Sequence, residues 1–245
     1  MARAHAQRPS RFLAAAALVF ALGTPAQIRQ PSWQARLWAQ WTHQEATAVL
    51  NDSPWVSNQV LRRDMRIFTD GSGAPVRAFG NISAQFFSAL PVRQARIRQM
   101  QIDRDYDDLS REQRALFDLF TMDCLQPGAF ADRIVVHVRV GGNDHAYRRA
   151  DTIYEWPGQK NALPAGQAFL LLSGGARLPS LDAERIATPR CGPSDERDFH
   201  FVFPRTKNGR PVISEKEKKI AVELAGGLRF EFDLQRLGYG GKTEF

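Results

Sequence analysis

Lys219-Ile220-Ala221-Val222-Glu223-Leu224-Ala225-Gly226-Gly227-Leu228-Arg229-Phe230-Glu231-Phe232-Asp233 sets two apolar stripes around a small-residue centre. Ile220, Val222 and Leu224 form one stripe, and Leu228, Phe230 and Phe232 the other. A loop of Gly226-Gly227 alone would set Leu224 against Arg229 and Val222 against Glu231, placing apolar beside charged side chains on each face. A three-residue loop of Ala225, Gly226 and Gly227 instead pairs Leu224 with Leu228, Val222 with Phe230 and Ile220 with Phe232. The other face then pairs Glu223 with Arg229 and Lys219 with Asp233. A bulged three-residue hairpin is therefore expected, with glycine at the left-handed position.

The same period recurs upstream. Ile134, Val136, Val138 and Val140 alternate with Val135, His137 and Arg139, which predicts a strand with one strongly buried face, ended by Gly141-Gly142-Asn143-Asp144. Strands are also expected at 59–68, 76–87, 168–172 and 198–203, the last aligning Phe199, Phe201 and Phe203 before Pro204 closes it. Asp70-Gly71-Ser72-Gly73 reads as the connection of a hairpin.

Three helices interrupt the strands. Thr42-His43-Gln44-Glu45 and Ser110-Arg111-Glu112-Gln113 are capping-box patterns, opening helices near 42–50 and from 111 to about 121. Pro91 suits the first turn of a helix over 91–101. The first helix stops at Asn51-Asp52-Ser53-Pro54, because Pro54 disfavours a helical Ser53 and brings no N–H donor. These elements predict one α+β domain, mainly antiparallel and sandwich-like, with a few short helices.

The first 26 residues carry an address. Arg3, Arg8 and Arg11 precede an apolar run of 11 residues, Phe12 to Leu22, and Thr24-Pro25-Ala26 supplies small side chains at a cleavage point. As a helix the run reaches only about 16 Å, roughly half the hydrocarbon thickness of a bilayer. The expected organisation is a signal peptide at 1–26, an N-terminal arm or irregular helix at 27–41 and a globular domain at 42–245. No transmembrane span is expected after cleavage, and the destination is periplasmic or extracellular.

Removing residues 1–26 takes three of the 33 basic residues and none of the 26 acidic ones, leaving a net charge of +4. The Lys and Arg residues are dispersed among acids, so nucleic-acid binding is not implied. A composition of 43% hydrophobic and 10% aromatic residues is that of a packed core and not of a disordered chain. Cys124 and Cys191 are the two cysteines, and in an oxidising compartment they are expected to pair. Neither has a Cys or His at zinc-site spacing.

Motifs that carry chemistry are scarce. Gly240-Gly241-Lys242-Thr243 ends like a P-loop but has Arg236 where the first glycine belongs. Ser173-Gly174-Gly175 lacks the nucleophile elbow of hydrolases. Phe245 in step with Tyr239, Gly241 and Thr243 has the aromatic ending of outer-membrane barrels without the repeated ten-residue segments a barrel needs. Asn81-Ile82-Ser83 is a glycosylation sequon only where the compartment supplies that chemistry. No catalytic, cofactor or metal residue is assigned, and no cofactor is expected.

Two functional readings remain. His137, His145 and His200 with Asp144 could form an acid–base or metal cluster in an extracytoplasmic hydrolase. Arg93, Arg96, Arg148 and Arg149 could instead contact an anionic or macromolecular partner in the cell envelope. The second reading, a non-catalytic binding or structural domain, is the leading expectation.

Asn51-Asp52-Ser53-Pro54-Trp55, Ser88-Ala89-Leu90-Pro91-Val92-Arg93-Gln94-Ala95, Phe201-Val202-Phe203-Pro204-Arg205 and the closing Gly241-Lys242 occur in that order over most of the chain. In this the chain resembles a group of uncharacterised exported bacterial proteins. The resemblance implies an address and an architecture, and no mechanism, because no activity is established for the group. Intact-mass measurement of the protein from separated cell fractions should find a species beginning at Gln27 outside the cytoplasm, two protons lighter than its dithiol form. An uncleaved cytoplasmic dithiol would contradict both expectations.

Overall fold

Alternation and capping place the elements much as the residue pattern requires. The computed structural model describes residues 31–62, 79–126, 128–142, 168–181, 199–224 and 228–245. In chain order these form α1 (His43–Asn51), β1 (Val56–Arg62), β2 (Phe79–Phe86), α2 (Leu90–Asp103), α3 (Arg111–Leu125) and β3 (Arg133–Gly142). Then come β4 (Ala168–Leu172), β5 (Arg177–Pro179), β6 (Phe199–Pro204), β7 (Thr206–Lys207), β8 (Arg210–Pro211), β9 (Lys219–Leu224), β10 (Arg229–Asp233), β11 (Gly238–Tyr239) and β12 (Lys242–Thr243). The class is α+β and sheet-rich. The turn at 70–73 and the loop at 225–227 lie outside the described residues.

Both capping boxes form. The Thr42 hydroxyl accepts from the Glu45 N–H at 3.2 Å while the Glu45 carboxylate accepts from the Thr42 N–H at 3.0 Å. Ser110 and Gln113 make the same exchange at the start of α3. Each satisfies two backbone donors that a helix start leaves without intrahelical partners. The Glu45 carboxyl is held below its usual range, first by the Thr42 N–H.

Two four-stranded antiparallel sheets are present, ordered β1-β2-β3-β6 and β10-β9-β4-β5. The β9/β10 hairpin has the register that apolar pairing demands: Phe230 opposes Val222, Phe232 opposes Ile220 and Arg229 opposes Glu223. The Leu224 N–H donates to the Leu228 carbonyl at 2.8 Å, closing a three-residue loop. The inner faces of the sheets share one core: Ile82, Ala84, Phe86, Ile134, Val136, Phe201 and Phe203 on one side, Leu170, Val222, Leu224, Phe230 and Phe232 on the other. Phe86 and Phe232 rings meet at 4.4 Å between centroids.

One expectation needs correction. β3 buries Val135 and His137 as well as Ile134, Val136 and Val138, so both its faces are covered. The second cover comes from α2 and α3: Ile97, Phe117 and Cys124 join Phe87, Phe130, Val135 and Val202 in a separate apolar cluster. The segment 27–41, read as an arm or irregular helix, folds over 32–40 as two 3-10 turns that belong to the same compact unit as the rest of the described chain. Trp33 and Trp41 are buried, with the Trp41 indole N–H donating to the Trp33 carbonyl at 2.8 Å and Trp33 lying 5.7 Å from Trp55. The area of three indoles outweighs the ordering of a short irregular segment.

Gly240 (φ 57°) and Gly241 (φ 78°) sit in the tight turn between β11 and β12. The P-loop-like stretch is thus a two-residue hairpin whose backbone needs left-handed residues. Two stability outcomes follow from this packing, both read by chemical denaturation at neutral pH. Phe86→Ala should cost about 4 kcal/mol through lost burial and a residual cavity. Thr42→Ala should cost about 1 kcal/mol, a loss that shrinks in acid as Glu45 protonates through its lowered pKa and the wild-type box loses its own carboxylate.

Candidate functional site

The arginines singled out by sequence do not share one surface. Arg93 is 4% exposed. Its Nε donates to the Ser88 carbonyl at 3.1 Å, one terminal nitrogen donates to the Cys124 and Gln126 carbonyls, and the guanidinium lies over the Phe130 ring at 5.0 Å. Burial pushes its pKa down to about 10, partly offset by the Glu244 carboxylate, and it stays cationic at neutral pH. A guanidinium so spent on backbone carbonyls is a fastener between α2 and the end of α3, not an anion contact. Arg96 is half-buried on α2, and Arg148 and Arg149 lie outside the described residues.

The histidines are brought together only in part. His137 and His200 stand directly opposite each other on β3 and β6, with rings stacked at 4.9 Å and 13° between planes. The Phe87 ring meets His200 edge to face at 5.7 Å. Near-parallel planes send the ring-nitrogen lone pairs along parallel planes, so the pair does not converge on one metal or one substrate proton. Asp144 and His145 lie outside the described residues. Among the described residues no group of three or more His, Cys, Asp or Glu could hold a metal ion. Cys124 is fully buried in α3, and Cys191 lies outside the described residues.

Four sequence segments meet around the chain's last residues. The Trp55 indole N–H donates to the Glu244 carbonyl at 2.7 Å, and the Glu244 carboxylate accepts from the Leu90 N–H at 3.3 Å at the start of α2. Arg205, after β6, donates to the Phe130 carbonyl at 2.7 Å and to the Phe245 carbonyl, and lies 5.0 Å over the Phe245 ring. The Tyr239 hydroxyl donates to Gln94 at 2.8 Å. Trp55, Arg93 and Arg205 therefore come together at one largely buried junction around Glu244 and Phe245.

That junction holds one wall of a surface cleft of about 340 Å³. Asp52, Ser53, Pro54 and Val56 line one side; Lys219, Glu231, Phe232, Asp233 and Arg236 line the other. It lies beside the turn into β1 and the far end of β10; β1 and β10 are edge strands of the two sheets. Near one end of β10 the edges touch, where the Gln59 side-chain amide donates to the Arg229 carbonyl. Arg229 and Glu231 form an ion pair at 3.3 Å, and Lys219 opposes Asp233 in the ladder. Asp52, Lys219, Asp233 and Arg236 make no ion pair among the described residues, leaving two charges of each sign along the cleft.

No family model matches the chain, and no curated protein or solved structure is significantly similar to it. Among the described residues no helix is long and apolar enough to cross a membrane. The fastener role of Arg93 makes a definite demand on its shape. Arg93→Lys should cost about 2 kcal/mol in denaturant unfolding, because one ammonium cannot span carbonyls on Ser88 and Cys124 as a guanidinium does.

Proposed function

We propose that this chain is an exported, non-catalytic protein of the periplasm or cell surface that holds another macromolecule in the cleft between β1 and β10. The observation that carries the reading is the cleft itself, where the edges of two sheets part beside Asp52, Ser53 and Pro54 and leave unmatched charge on the rim. A pocket this size is in the range of specific binding sites. Its lining mixes charged and apolar groups without a nucleophile–base pair. Export is supported by the cationic start, the apolar run and the small residues at 24–26.

Cys124 and Cys191 form the disulfide in this reading, fixing the end of α3 in an oxidising compartment. Its contribution is on the order of 4 kcal/mol in the chain-entropy account. Photo-crosslinking in intact envelopes tests the site: a crosslinking side chain at Asp52 should give a discrete adduct, while the same group at exposed Lys207, outside the cleft, should not. No adduct at Asp52, or the same adducts from both positions, would overturn the assignment.

A further inference from the structure

α3 is apolar on two opposite faces. Its inner face docks through Phe117, Thr121 and Cys124, a stripe at i, i+4, i+7 spacing whose Phe117 and Cys124 join the second apolar cluster. A surface helix is polar opposite such a stripe. Here Leu116 is 67% exposed, Leu119 63% and Met122 48%, and with Phe120 they make four of the six large apolar side chains exposed among the described residues. Leu116 and Leu119 share one outward face, with Phe120 and Met122 on its flanks. Glu112 precedes Leu116 by about one turn and Asp123 follows Leu119 by about one turn, both exposed on that same face. The surroundings are acidic in a basic chain: residues 103–126 hold seven carboxylates against three arginines, a net charge of −4 where the whole chain has +7. Arg114 is engaged by the Leu109 and Asp107 carbonyls at 3.0 and 2.5 Å, and Arg104 lies over the Phe117 ring at 5.9 Å. Arg111 sits roughly a third of a turn round the helix from the leucines. None of the seven carboxylates forms an ion pair among the described residues.

We infer that the outer face of α3 docks a helix of a partner protein whose apolar stripe is bracketed by Lys or Arg. None of these residues lines the cleft, so the inference goes beyond the proposed function and stands without it. Contiguous exposed apolar side chains rimmed by charge are what protein interfaces bury, and the ridges of one helix pack into the grooves of another. Glu112 and Asp123 are about 16 Å apart along the axis, so they meet cations about three turns apart on a partner helix. Two other occupants fit worse. A second copy packed antiparallel with Leu116 against Leu119 also sets Glu112 against Asp123, placing like charges together at both ends. An anionic bilayer surface is repelled by the same carboxylates.

The probe is a synthetic helical peptide of about 18 residues, with leucines on one face and a lysine at each end of the leucine stripe at the spacing of Glu112 and Asp123. It is titrated into the purified protein to about 1 mM while backbone amide NMR shifts are recorded, alongside a twin carrying glutamates in place of the lysines. Shifts are expected on α3, with the lysine peptide bound at least tenfold more tightly than its twin and more weakly as salt is added. Leu116→Ser combined with Leu119→Ser, both at exposed positions, should weaken it at least tenfold with thermal unfolding unchanged. Glu112→Lys combined with Asp123→Lys should reverse the preference between the two peptides, which apolar contact alone would not do. Binding of neither peptide, equal binding of both, or shifts confined to other elements would overturn the docking face. So would a dimer in sedimentation that the serine variant abolishes, since a second copy would then be the occupant, or binding to phosphatidylglycerol vesicles lost in the same variant. The Asp52 crosslink reads the cleft and does not depend on any of these outcomes.

Discussion

Glu244 occupies the point on which several elements depend. Its carbonyl takes the Trp55 indole N–H, its carboxylate takes the first free N–H of α2, and its charge offsets part of the cost of burying Arg93 and Arg205. A buried cation is tolerable when its donors are spent and an opposite charge is near, and costly when either condition fails. The two guanidiniums meet the first condition with carbonyls from Ser88, Cys124, Phe130 and Phe245. The consequence reaches the surface, because Trp55 so anchored fixes Asp52, Ser53 and Pro54 as the cleft wall.

The core explains why a cleft exists at all. Inner faces carrying Phe86 and Phe232 hold the sheets together through apolar burial, which specifies separation without requiring the edges to bond. The edges meet where Gln59 reaches Arg229, and beyond it they part. Opposite, the Leu181 N–H donates to the Val202 carbonyl at 2.7 Å, so the chain leaving β5 crosses to the free edge of β6. One side of the paired sheets is thus bridged by backbone, and the other retains open strand edges.

Local physics was legible in the residues and long-range physics was not. The two capping boxes and the β9/β10 register involve partners only a few residues apart, so residue types alone select them. Arg93 looked like a surface charge because the carbonyls that engage it lie about thirty residues away, at Cys124 and Gln126. Trp33 and Trp41 were rich in signal but sat in a segment without periodicity, and only contact with Trp55 gave them a core. The second buried face of β3 depended on helices whose own pattern named no partner sheet. The cleft was invisible for the same reason, since its walls come from strands some 170 residues apart. Pro54 was read as a helix stop, which it is, while its place on a cleft wall could not be read from sequence.

The central claim is that β1 and β10 are sheet edges not bonded to each other by backbone, held in place by the shared core. Residue-resolved amide hydrogen exchange on the free protein measures this directly. The account predicts alternation: slow exchange at Ser57, Gln59, Phe230 and Phe232, whose amides bond within the sheets, and fast exchange at Asn58 and Glu231, whose amides point away from the neighbouring strand. Uniform protection along both strands would contradict it, because the two edges would then be bonded to each other.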